Sequence, residues 1–77
     1  MQNCLNPLKA LNYIEMGGEV LVSLPGCASS VFRLSTNPGE GIERGNTEIG
    51  ICPGMQPAEV LRHFGNMIHE GGSITLL

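Results

Sequence analysis

Two glycine pairs, Gly17-Gly18 and Gly71-Gly72, constrain the fold more than any other feature of this chain. Each closes a stretch of helical character and is followed at once by a run of β-formers. Glycine reaches the left-handed backbone conformation that ends helices without steric cost. The pairs therefore define two helix–Gly-Gly–strand units, one near each end of the chain.

The first unit opens at Asn6-Pro7. Asn is a strong N-cap, and Pro suits the first helical position, where its missing N–H is not needed. Leu8, Ala10, Leu11, Tyr13, Ile14 and Met16 then spread apolar character over a broad face, and residues 19–24 read as a strand stopped by Pro25-Gly26. In the second unit Pro57 starts a helix with Glu59 in its first turn, where a carboxylate complements the helix dipole. Val60, Leu61, Phe64, Met67 and Ile68 form a single apolar stripe, and residues 73–77 read as a terminal strand. The resemblance between the units is one of helix-to-strand grammar; matched side chains are few.

Two more strands are predicted between the units, over 31–35 and, with weaker alternation, 47–52. Residues 26–30 are read as a hairpin loop, 36–46 as a longer turn-rich segment, and Pro53-Gly54 as the end of the third strand. The expected fold class is α+β, a single domain over 1–77 in the order α-β-β-β-α-β. Short links between strands favour a mainly antiparallel sheet with both helices on one face, the last strand joining an edge beside the first.

Composition narrows the functional classes. The chain has 77 residues, 42% of them hydrophobic, which suits one packed domain with a thin stability margin. Small domains commonly add disulfides, a metal or self-association. Cys4, Cys27 and Cys52 are odd in number and widely spaced, which suits free thiols in a reducing, cytoplasmic compartment. No CxxC or HxxxH spacing indicates a metal, and His63 and His69 point to different sides of their helix. His63 follows Glu59 by one turn and is expected on a solvated face. No apolar stretch suits a membrane span. Self-association remains the expected supplement, so a homo-oligomer is anticipated.

Charge argues by sparseness. Lys9, Arg33, Arg44 and Arg62 are the only cations, they are scattered, and the net charge is −3. Nucleic-acid binding relies on several clustered phosphate contacts and is therefore not expected. All seven acids are Glu, and the absence of Asp removes the residue most used to orient a catalytic His or to hold Mg²⁺. The GxGxxxG of residues 39–45 is not followed by a helix and contains two carboxylates, so it does not read as a phosphate loop. The Cys27 loop lacks the neighbouring cation that an activated thiolate needs.

These exclusions leave an expectation of a non-catalytic interaction protein without cofactor or metal. It would bind and modulate a larger protein partner, as a regulator or inhibitor of the kind mobile elements encode. Arg33, Asn37, Glu40, Glu43 and Arg44, in the strands and loops between 25 and 56, are the candidate binding residues. The alternative is a homo-oligomeric binder of an anionic metabolite or nucleotide, held by glycine loops with Arg33, Arg44 or Arg62.

Overall fold

The computed structural model of the chain describes residues 2–46 and 50–77, with backbone alone at 2, 46 and 51–53. The elements run β1 (Gln2–Cys4), α1 (Pro7–Glu15), β2 (Val20–Ser23), β3 (Ser30–Leu34), β4 (Ile42–Asn46), β5 (Gly50–Met55), α2 (Pro57–His69) and β6 (Ser73–Leu76). All strands join one antiparallel sheet in the order β1-β6-β2-β3-β4-β5. The α+β class and the antiparallel sheet follow the expectation from sequence.

Both helices form and end as the glycine pairs dictate. The Asn6 side chain accepts from the amides of Leu8 (3.0 Å) and Lys9 (3.2 Å), capping α1. At the far end the Gly17 amide donates to the Ile14 carbonyl and the Gly18 amide to that of Tyr13, both at 2.9 Å. Helix α2 repeats this with Gly71 to Ile68 at 3.1 Å and Gly72 to Met67 at 2.8 Å. Two bonds of this pattern satisfy carbonyls that the helix itself leaves open.

The two glycines of a pair do different work. Gly71 takes the left-handed conformation, φ 87°. Gly72 does not; instead, a Cβ there would lie 2.7 Å from the Met67 carbonyl oxygen and 2.9 Å from that of Ser23. The second glycine thus lets the end of α2 pass against the end of β2, which sets β6 beside β2.

The sheet departs from the sequence expectation at three places. Strand β1 was not anticipated; three residues are too few to show a period. Strand β4 lies inside the segment read as a loop, because Ile42–Asn46 holds one buried apolar residue, a Glu, an Arg and a Gly, with no alternation to read. Of the predicted strand 47–52, residues 47–49 fall outside the described residues. The remainder belongs to β5, which continues through Pro53 and Gly54 rather than stopping there. The register explains why this is tolerated. Ile42 pairs with Met55 and Arg44 with Cys52, so Glu43 alone faces Pro53 and Gly54 in a bulge. Strand β5 is an edge strand, where an absent N–H is least costly.

The last strand does pair with β2, as expected, but β1 covers its other side, so β6 is interior. The core lies between helices and sheet. Ala10, Leu11 and Ile14 from α1 and Val60, Phe64 and Met67 from α2 pack on Val20, Val22, Phe32, Ile42, Ile74 and Leu76. At its centre Phe32 and Phe64 meet edge to face with ring centroids 5.0 Å apart. The broad apolar face expected of α1 is divided: Leu8 and Met16 stay outside the core.

Candidate functional site

Because both helices pack on one side, strand alternation sends the intervening residues to a side without helices. Val20 and Val22 are buried, so Leu21 and Ser23 face outward; Phe32 is buried, so Val31 and Arg33 do. Register then sets Asn3, Thr75, Leu21, Val31 and Gly45 in one row across five strands. Thr75 and Asn3 are joined by a side-chain hydrogen bond of 3.3 Å. Leu21 and Val31, half-buried, form a low apolar ridge in the middle of the row.

Beside this ridge stands a charged trio. Arg33 pairs with Glu43 directly across the β3–β4 ladder, its Nε donating to a carboxylate oxygen. Its Nη1 donates to Glu19 at 3.3 Å. The hydrogen bond to Glu43, then that to Glu19, raises the Arg33 pKa above its ordinary value. The Glu43 side chain is 9% exposed, while those of Arg33 and Glu19 are 46% and 45% exposed. Two carboxylates around one guanidinium leave the cluster with a formal charge of −1, and the ion pairs hold it in one arrangement.

The candidate residues from sequence therefore divide into three places. Arg33 and Glu43 come together on the open face, joined by Glu19, which sequence reasoning missed. Its signal was its place at the head of the first predicted strand, in register with the outward residues. Asn37 and Glu40 face each other within the β3–β4 loop. Asn37 Nδ2 donates to Glu40 at 3.2 Å, Ser35 Oγ donates to the same oxygen at 3.4 Å, and the Asn37 amide donates to Ser35 Oγ at 3.1 Å. This loop is internally hydrogen-bonded.

Arg44 does not join the others. It pairs with Phe32 and so lies on the helix side of the sheet. Its Nε is buried and has no hydrogen-bond partner among the described residues. Nearby His63 is half-buried, its ring tilted 42° against Phe32 at a centroid distance of 5.6 Å. Burial, and then the charge of Arg44, lower the His63 pKa, opposed in part by Glu70. His63 is thus a packing residue between α2 and the sheet rather than the solvated side chain expected from its spacing to Glu59.

Among the described residues no three His, Cys, Asp or Glu side chains gather in a way that would hold a metal ion. Cys4 is a buried free thiol and Cys27 an exposed one; the Cys52 side chain lies outside the described residues. No family model, curated protein or solved structure matches this chain. No helix among the described residues is long and apolar enough to cross a membrane. The open face thus carries a net-negative ion-pair cluster next to a shallow apolar ridge.

Proposed function

We propose that the chain is a non-catalytic interaction protein whose open sheet face docks on a larger protein and modulates it. The partner in this reading presents basic side chains around an apolar contact. The supporting observation is the one-sided sheet. Its uncovered side carries Leu21 and Val31 next to the Glu19–Arg33–Glu43 cluster. Six strands at about 4.8 Å spacing present a surface roughly 24 Å across, a span suited to a macromolecular partner.

Charge selects the chemistry of that partner. The open-face cluster is negative and so is the whole chain, at −3. A basic protein surface complements both, whereas a phosphate backbone complements neither. The reading as an anionic-ligand binder ranks lower because two carboxylates already engage the guanidinium of Arg33. The exposed free thiol of Cys27 suits action in a reducing cytoplasmic compartment.

The test compares capture of partners from native cell extract by the unmodified chain and by variants of the two sides. Leu21→Lys and Val31→Lys disrupt the open face, and Arg62→Glu, on the exposed side of α2, serves as control. The expected result is a partner retained by the control, lost by both face variants and released as salt screens the charge contacts. A partner held equally by all three proteins would refute the assignment of the face. Capture of no partner at low salt would refute the function.

A further inference from the structure

The first glycine pair does more than end α1. Gly17 takes the left-handed conformation, φ 98°, and supplies the helix stop. Gly18 does not, yet a Cβ there would lie 2.5 Å from one carbon of the Tyr13 ring and 2.8 Å from another. The ring therefore lies directly on the Gly18 backbone. In that position the Tyr13 hydroxyl donates to the main-chain oxygen of Leu77, just past β6. The Leu77 amide in turn donates to the Glu19 carbonyl at 2.9 Å. Tyr13 thus holds the Gly18-Glu19 stretch twice, by ring contact and, through Leu77, by hydrogen bond.

Glu19 needs such support. It follows two glycines, the most freely rotating residues of a chain, and stands one residue before β2. Its side chain is 45% exposed and receives one hydrogen bond, the 3.3 Å contact from Arg33. An exposed ion pair of that kind contributes too little to fix a strand end by itself. Glu19 is also the carboxylate that an incoming cation can reach. The charge of Arg33 is matched by Glu43, whose side chain is only 9% exposed, so the net negative charge of the trio rests at Glu19.

We infer that Tyr13 is a positioning residue for the open face: through Leu77 and Gly18 it fixes Glu19 where a basic side chain of the partner meets it. Contacts run without a break from α1 to the far side of the sheet. Tyr13 bonds Leu77, Leu77 bonds Glu19, Glu19 bonds Arg33 and Arg33 bonds Glu43. The inference rests on the reading of the open face as a docking surface, and adds to it a residue of the helix layer that sets the charge of that surface in place.

Two variants break the support in different ways. Tyr13→Phe leaves the ring on Gly18 and removes the hydroxyl; Gly18→Ala leaves the hydroxyl and pushes the ring away. Backbone ¹⁵N relaxation of the full chain should give Glu19 a rigid order parameter near about 0.85 in the parent, falling toward about 0.6 in both variants, while Val22 and Phe32 stay unchanged. An unchanged value at Glu19 in Tyr13→Phe would overturn the proposal. The second measurement is partner retention from native cell extract at fixed low salt. Tyr13→Phe and Glu19→Gln should each weaken retention by at least about threefold, and the double variant should be no weaker than Glu19→Gln alone, because Tyr13 acts through Glu19. A role in stability alone would add the two losses. Full retention by Tyr13→Phe, or additive losses, would overturn the positioning role and leave the docking face standing. A partner held equally by Leu21→Lys, or no partner at all, would refute the face itself and this inference with it.

Discussion

Position 72 shows how much a single hydrogen atom in place of a methyl group can decide. Gly72→Ala places a carbon 2.7 Å and 2.9 Å from two backbone oxygens, neither of which can rotate away as a side chain would. The expected cost is about 1–3 kcal/mol, the usual range for overpacking, read as a lowered midpoint in urea. Gly71→Ala should cost about 1–2 kcal/mol for a different reason, the left-handed backbone at φ 87°. His63 supplies a pH dependence. Its folded-state pKa lies below 6.5, so the unfolded chain takes up this proton first as pH falls. Stability from this residue is therefore full above about pH 6.5 and declines as the solution is acidified below it. Thermal unfolding between pH 7.5 and 5 should show the decline, and His63→Gln should flatten it. Arg44→Gln should raise the His63 pKa in an NMR titration, since the Arg44 charge is one of the two causes lowering it.

Elements differ in how well the sequence announces them, and the difference has a physical basis. Asn6 caps α1 through two amides, so Asn6→Ala should cost about 1 kcal/mol, whereas Asn6→Asp should be nearly neutral in the same denaturant titration. Signals of this local kind were legible: the caps, both helices, the glycine stops and the strands at 20–23 and 30–34 follow from residues next to one another. Strand β4 was not legible because its structure comes from the neighbours it pairs with. Glu43 is extended and nearly buried through Arg33 across the ladder, and nothing within 42–46 shows this. The candidate site was half legible for the same reason. Arg33 and Glu43 were named, but Glu19 is fourteen residues away from Arg33 and needs the β2–β3 register to reach it. Arg44, adjacent to Glu43 in sequence, was placed with it although successive strand residues face opposite sides.

At the level of the molecule, one layer of helices on one sheet leaves a single core to carry stability. Phe64→Ala removes half of the ring pair at its centre and should cost about 3–5 kcal/mol. A domain of 77 residues has roughly 4–12 kcal/mol in total, so this variant should lose a large share of its stability and melt at a clearly lower temperature by circular dichroism. The interior place of β6 has a consequence for how the chain reaches its structure. Residues 73–76 are the last strand in sequence, yet β1 and β2 meet only through them, and Gln2 pairs with Leu76. A nascent chain emerging from a ribosome can form the β2–β3–β4 ladder early. It cannot seat β1 until nearly every other residue has been made, and such distant pairings are slow to find.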